Sequence, residues 1–101
     1  MNQTYLKEHI KEELDGAKDY IMRAIEIKAM DPNWGKMLYK MSAEELEHAT
    51  NFYNMSVDYY NKVTSAYKES PDYLDECMDE ITEMFMEESA TIKKMHEMYN
   101  R

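Results

Sequence analysis

The pair Glu45 and His48 has the residue types and the spacing of a metal-binding motif. The two residues lie three positions apart, so on an α-helix both side chains point to one face. Burial of a carboxylate is costly unless the group is paired or changes its pKa. Glu-x-x-His on a bundle helix is a known di-metal ligand pair, so this pair on an apolar stripe predicts a bound metal ion. The stripe consists of Trp34, Leu38, Met41, Glu45, His48, Phe52, Met55 and Tyr59.

A further carboxylate, Glu13, lies on the inner face of the preceding helical segment, and Tyr20 follows it seven residues later on the same face. Short connections make consecutive helices antiparallel neighbours, so Glu13 is expected to face Glu45 and His48. An oxygen-rich set with one imidazole suits iron or manganese. A bridging carboxylate could join two ions, and Tyr20 could hydrogen-bond to a ligand carboxylate.

Three other residues need placing. Glu88 occupies an inward position on the third segment, where it could be a fourth ligand or a rim carboxylate whose head reaches water. His9 lies on a less apolar face near the N-terminus, and His96 flanks the third apolar stripe. Both histidines are expected to reach solvent rather than a metal.

Two alternatives to a di-iron site stay open. Glu-x-x-His is common by chance in Glu-rich segments such as residues 43–48. The inward polar groups could form a buried hydrogen-bonded network that fixes register in a non-catalytic helical assembly protein. The metal could also be structural, as manganese or iron.

The composition indicates long helices. The 101 residues include two glycines and two prolines, and 33% of them are charged. This length predicts a single domain over residues 1–101. The single Cys77 excludes an internal disulfide and a cysteine-rich zinc cluster.

The net charge of −9 makes nucleic acid an improbable partner. An acidic surface attracts cations, although a solvated exterior explains the same charge. The sequence contains neither a membrane-spanning apolar run nor a leader pattern. A soluble cytoplasmic chain without a membrane partner is therefore expected.

Apolar periodicity predicts an all-α fold with helices over about residues 4–30, 33–68 and 71–100. Asp31-Pro32 and Ser70-Pro71 each combine an N-cap residue with a proline suited to the first helical position. The first two helices form an antiparallel hairpin, and a third long helix follows. The third stripe is Leu74, Met78, Ile81, Phe85, Glu88, Ile92, Met95 and Tyr99.

The second helix carries more apolar surface than its neighbours can cover. Aromatic residues occur on more than one of its faces, and the chain has eleven methionines, which suit adaptable helix contacts. An uncovered apolar face predicts association. A homodimer or higher homo-oligomer that completes a four-helix bundle is expected. The aromatic residues are Phe52, Tyr53, Tyr59, Tyr60 and Tyr67.

The residues Glu13, Tyr20, Glu45 and His48 resemble the pattern of the ferritin-like di-iron superfamily. With one Glu and one Glu-x-x-His in about a hundred residues, the chain is most similar to the encapsulated ferritins. Residues 12–20 and 44–48 are similar to that family's two helix motifs, and the resemblance covers roughly residues 8–60. The long third helix departs from the family's short terminal element.

The resemblance implies an oxidoreductase, a ferroxidase that oxidises Fe²⁺ to Fe³⁺ for iron storage or detoxification. Its di-iron centre would lie between two subunits, each supplying Glu13, Glu45 and His48, with Tyr20 orienting a ligand. Glu12 could feed incoming cations. An encapsulin-type protein shell is the further partner that the resemblance implies, which would place the protein in the cytoplasm, either free or inside such a nanocompartment.

Overall fold

The computed structural model of the protein describes residues 2–66 and 72–101, which contain three α-helices. Helix α1 spans Gln3–Ile27, α2 spans Pro32–Ala66 and α3 spans Asp72–Tyr99. No strand occurs within the described ranges, which confirms the all-α prediction. The predicted end of the second helix near Lys68 and the Ser70-Pro71 signal lie outside the described residues. None of the described helices is both long enough and apolar enough to cross a bilayer.

Side-chain caps set the starts of the first two helices. The Asn2 side chain accepts a hydrogen bond from the Tyr5 N–H at 2.9 Å, which satisfies one of the free donors of the first turn. Asp31 does the same for the Trp34 N–H at 3.1 Å, and Pro32 is the first residue of α2. The predicted cap-then-proline signal at residues 31–32 is therefore confirmed.

Helix α1 ends earlier than predicted. It stops at Ile27 rather than at Met30, because residues 28–30 turn. The N–H groups of Met30 and Asp31 both donate to the Ile27 carbonyl, at 3.0 and 2.8 Å. This tight turn brings α2 directly back along α1.

The core lies where α1 meets both other helices, in a molecule that measures 57 × 20 × 15 Å. Apolar residues of all three helices pack in one main cluster, and a smaller cluster of Ile21, Ala24 and Tyr99 lies near the α1–α2 turn. The helices are therefore held mainly by apolar burial. The main cluster consists of Ile10, Leu14, Ala17, Leu46, Ala49, Met78, Ile81, Phe85 and Ile92.

The buried face of α3 is close to the predicted stripe. Six of the predicted positions are buried, and the differences are that Ser89 is buried in place of Glu88 and that Met95 is only half-buried. The stem of Glu88 therefore sits beside the core rather than inside it. The six confirmed positions are Leu74, Met78, Ile81, Phe85, Ile92 and Tyr99.

The buried face of α2 differs from the predicted stripe. Trp34, Met41 and Met55 are exposed, whereas a row of small residues faces the core. The row repeats every seven residues, or about two turns, and its small side chains let α1 and α2 approach closely. The predicted stripe lies roughly a quarter turn away, partly on the surface of the single chain, although Leu38 and Phe52 pack against the two core clusters. The small residues are Gly35, Ser42, Ala49 and Ser56.

Candidate metal centre

The hairpin of α1 and α2 brings Glu13, Glu45 and His48 together. One ligand atom from each residue lies within 4.8 Å of the other two. The Glu13 Oε2 atom is 3.4 Å from His48 Nδ1, and the Glu45 Oε1 atom is 4.0 Å from the same nitrogen. We call these three residues the carboxylate cluster. They are the ones that the spacing places on facing helices. Their role as metal ligands stays a prediction.

Gly16 leaves the room that the Glu45 carboxylate occupies. A Cβ atom at position 16 would lie 3.1 Å from Glu45 Oε2, closer than most real Cβ contacts, and 3.7 Å from Glu45 Cδ, an ordinary contact. The carboxylate of α2 therefore packs directly on the backbone of α1. Sequence reasoning missed Gly16, although a glycine inside a helical pattern often marks a packing or functional site.

The Glu13 carboxyl raises the pKa of Glu45 to about 7. Hydrogen bonding between the two carboxyls makes the largest contribution, burial adds to it, and like-charge repulsion from Glu13 adds further. The His48 imidazole acts in the opposite direction. Two adjacent carboxylates cannot both ionise cheaply, so near neutral pH a proton occupies part of the position that a cation would fill.

Glu13 carries an unsatisfied buried atom. Its Oε2 is buried and has no hydrogen-bond partner, and the side chain as a whole is 21% exposed. A buried acceptor without a donor is uncommon and costly. A cation would satisfy it, since a carboxylate oxygen, a second carboxylate and an imidazole are together suitable ligands for a hard divalent ion.

The carboxylate cluster is open on one side of the single chain. The His48 side chain is 53% exposed and the Glu45 side chain is 30% exposed. The reason is that this part of the predicted stripe lies at the edge of the α1–α2 contact rather than in the core. If the three residues bind an ion, this open face would leave coordination positions for further groups.

The other residues of the predicted ferroxidase site lie around the cluster without joining it. Tyr20 is half-buried, and the described residues include no hydrogen bond from it to Glu13 or Glu45. Glu12 is largely exposed, and its carboxylate lies 3.7 Å from His9 Nδ1. Tyr20 and Glu12 therefore keep their proposed roles only as predictions.

Glu88 is not part of the cluster. Its carboxylate lies 3.9 Å from the Lys18 ammonium, and both side chains are about two-fifths exposed. Of the two readings that the sequence left open, the rim carboxylate describes its position.

The two other histidines are less exposed than expected. His9 is half-buried, with its ring centre 4.2 Å from that of Tyr5 and 5.2 Å from that of Phe52. His96 is also half-buried, and its Nε2 atom lies 2.8 Å from the Ser42 hydroxyl. Burial lowers the pKa of His96. His96, expected to reach solvent rather than a metal, is partly withdrawn from solvent beside Ser42 and is not part of the cluster.

No protein-family model, no curated protein and no solved structure matches this chain. The resemblance to ferritin-like proteins therefore stays an expectation that rests on the motif residues themselves.

Proposed function

We propose that this protein is a ferritin-like ferroxidase that binds Fe²⁺ at Glu13, Glu45 and His48 and oxidises it to Fe³⁺ for storage or detoxification. The observation that carries the proposal is the buried Oε2 atom of Glu13, which makes no hydrogen bond and lies 3.4 Å from His48 Nδ1. A structural hydrogen-bond network would satisfy that atom within the fold. Here the atom makes no hydrogen bond of good geometry and has only the His48 imidazole at 3.4 Å and the carboxyl of Glu45 beside it.

A second copy of the chain would complete the centre. One chain supplies two carboxylates and one imidazole, which is half the ligand set of a di-metal site on helices. A two-fold axis through the open side of the cluster would bring an identical set opposite the first. Each ion could then be held by ligands of both chains.

Exposed apolar surface beside the cluster supports this pairing. A groove of about 750 Å³ lies where α1 and α2 meet at their turn. Met41 belongs to this groove and is one helical turn from Glu45, and on the other side of His48 the Met55 side chain is 43% exposed. Such a surface on both sides of a polar centre fits an interface. The apolar residues of the groove are Ile27, Met30, Trp34, Met37, Leu38 and Met41.

The proposed reaction moves two electrons. Each of two Fe²⁺ ions loses one electron, and dioxygen accepts both electrons with two protons to give hydrogen peroxide and two Fe³⁺. The ions are substrates, and the residues of the chain hold them at a fixed separation. Anionic oxygens of Glu13 and Glu45 favour the ferric product. Because the pKa of Glu45 is about 7, its carboxyl loses a proton when a cation arrives.

The test is aerobic addition of Fe²⁺ to purified protein, followed by ferric absorbance. Glu45→Ala and His48→Ala are expected to lower the initial rate to that of iron in buffer. Glu88→Ala is the matched control, because Glu88 lies outside the cluster beside Lys18. Equal oxidation by all four proteins would refute the proposal. Elemental analysis of the purified protein separates iron from manganese.

A non-catalytic assembly protein is the second candidate, and the exposed apolar face favours it. Met30 is 84% exposed, and Trp34 and Met37 are each 63% exposed. These side chains suit a protein partner whether or not a metal is bound. An assembly protein is expected to form the same oligomer in wild type and in His48→Ala, with or without Fe²⁺.

Co-purification with an encapsulin-type shell tests the further partner that the ferritin resemblance implies, and with it the nanocompartment location.

A further inference from the structure

A second polar cluster lies at the same contact between α1 and α2. The Ser42 hydroxyl donates a hydrogen bond to the Ala17 carbonyl at 2.6 Å, and the His96 Nε2 atom lies 2.8 Å from the same hydroxyl. Ser42 and Ala17 are fully buried. We call these three groups the serine bridge. They join α1, α2 and α3 at one level of the molecule.

The serine bridge has a defined proton arrangement. A hydroxyl has one proton to donate, and Ser42 gives it to the Ala17 carbonyl. Toward His96 the hydroxyl can therefore only accept, so the Nε2 atom of His96 carries a hydrogen. The neutral Nε2–H imidazole and the doubly protonated imidazole both make this bond. The bridge therefore holds in either charge state of His96.

The serine bridge lies next to the carboxylate cluster along both helices. On α2, Ser42 precedes Glu45 by three residues, which is about one turn. On α1, Ala17 follows Gly16, whose backbone contacts the Glu45 carboxylate. A slide of α2 along α1 by one residue, about 1.5 Å, would break the bridge and move Glu45 away from Gly16.

We infer that Ser42 is a positioning residue. Its bond to the Ala17 carbonyl sets the register of α2 against α1, and His96 holds the hydroxyl of Ser42 in place. At this register Glu45 reaches Gly16, Glu13 and His48. The geometry of this arrangement is that of the fold without metal. Its consequence, which is metal affinity, rests on the proposed function. Helices that pack through small residues and apolar side chains can slide along one another at low cost. A short directional hydrogen bond between them therefore fixes their register effectively. Residues that orient ligands without contacting the metal commonly govern affinity.

The first test needs no metal. Ser42→Ala removes the bridge, and Ser56→Ala is its matched control, because Ser56 is also fully buried on α2 but donates only to the Tyr53 carbonyl of its own helix, at 2.6 Å. The readout is the nuclear Overhauser contact between the Gly16 Hα and Glu45 Hγ protons. This contact is expected in wild type and in Ser56→Ala, and it is expected to be lost in Ser42→Ala.

His96 provides a second pair of variants in which Ser42 is retained. His96→Leu removes the donor and is expected to weaken the contact between Gly16 and Glu45. His96→Gln keeps an N–H donor on a side chain of similar reach, and it is expected to preserve the contact. A role of His96 in packing alone would give the opposite order, since leucine fills the apolar space and glutamine does not.

The second test uses Co²⁺ as the probe and follows its visible absorption. Ser42→Ala is expected to lower Co²⁺ affinity about tenfold and to shift the bands, whereas Ser56→Ala leaves both unchanged. The inference is overturned if the contact between Gly16 and Glu45 persists in Ser42→Ala, or if the two serine variants bind Co²⁺ equally. Wild-type protein that shows the contact and binds no Co²⁺ refutes the metal site, and the proton contact then decides the role of Ser42 by itself.

Discussion

The carboxylate cluster and the serine bridge lie about one helical turn apart on the same helix pair, yet they differ in how their polar groups are satisfied. In the serine bridge, the hydroxyl of Ser42 is bonded on both sides, at 2.6 and 2.8 Å. In the carboxylate cluster, Glu13 Oε2 is buried without a donor, and Glu13 raises the pKa of Glu45 to about 7. The serine bridge shows that the fold can satisfy buried polar groups at the contact between α1 and α2. We propose that a cation satisfies the carboxylate cluster, which the fold itself leaves without a hydrogen bond to Glu13 Oε2.

The largest expected effect comes from removing the negative charge of the Glu13 carboxylate. Glu13→Gln replaces an anionic ligand by a neutral amide, and Co²⁺ affinity is expected to fall by more than about a hundredfold, beyond the usual effect of a group that only orients a ligand. Calorimetric titration measures it, with Glu88→Gln as the control on the far carboxylate. An affinity within a factor of a few of wild type would show that the cluster is a hydrogen-bond network like its neighbour.

The next effect concerns what covers the two clusters. Helix α3 covers the serine bridge through His96, and we propose that a second copy covers the carboxylate cluster. Trp34→Glu places a charge on the exposed apolar face and is expected to weaken self-association by about 2 kcal/mol, or roughly thirtyfold in Kd. Sedimentation equilibrium measures it. Tyr73→Glu on α3 is the control, because Tyr73 is 73% exposed and distant in sequence from this face. Equal association of the two variants would place the interface elsewhere.

A third prediction separates ligand geometry from fold stability. Gly16→Ala is expected to stabilise the helix by up to about 1 kcal/mol, since alanine is the better helix former. It is also expected to lower Co²⁺ affinity about tenfold, because the new Cβ would lie 3.1 Å from Glu45 Oε2.

Gly35→Ala is the matched control for this glycine exchange. Its Cβ would meet the Tyr99 hydroxyl at 3.1 Å and the Lys28 Cα at 3.3 Å, and neither atom belongs to the cluster. This variant is expected to lower stability and to leave metal affinity unchanged. Thermal unfolding measures the stability of both variants, and titration with Co²⁺ measures their metal affinity. Equal losses of Co²⁺ affinity in the two variants would contradict a specific role of Gly16.

The smallest expected effect is on the pH dependence of stability without metal. The folded protein raises the pKa of Glu45 from about 4.5 to about 7, so between these values it binds more protons than the unfolded chain. Stability contributed by the protonated carboxyl is present at low pH and is lost as pH rises through 7. Glu45→Gln is therefore expected to exceed wild type in stability at pH 8 by on the order of 1 kcal/mol, with the gap closing near pH 5. Urea unfolding at the two pH values measures it, and a gap independent of pH would contradict the shared proton.

Sequence reasoning was most accurate for α3 and for the Asp31-Pro32 cap of α2. The stripe of α3 has a single apolar face, so its periodicity identifies the buried residues except at two positions. Ser89 takes the inward position in place of Glu88, and Met95 is only half-buried. The Asp31-Pro32 signal depends on local hydrogen bonding and is equally readable. Both features follow from interactions within a few residues of the chain.

Sequence reasoning was least accurate for α2, which has two adjacent apolar faces. Trp34, Met41 and Met55 are the larger side chains and mark the more hydrophobic face, yet they are exposed in the single chain. The core uses the small residues at positions 35, 42, 49 and 56, because they allow α1 to approach. The seven-residue period of these small residues was visible in the sequence, and it was the signal that could have located the buried face.

The sequence by itself determined the helices, their caps and the identity of Glu13, Glu45 and His48 as groups of matching chemistry on facing helices, because helical spacing and side-chain type are local properties. The tertiary structure alone decided that the three groups meet on an open face, that Gly16 admits the Glu45 carboxylate, and that Ser42 bonds to α1 and to His96. Those features depend on the rotation and register of one helix against another. Many rotations of α2 bury similar apolar area, and close packing of its small residues selects among them.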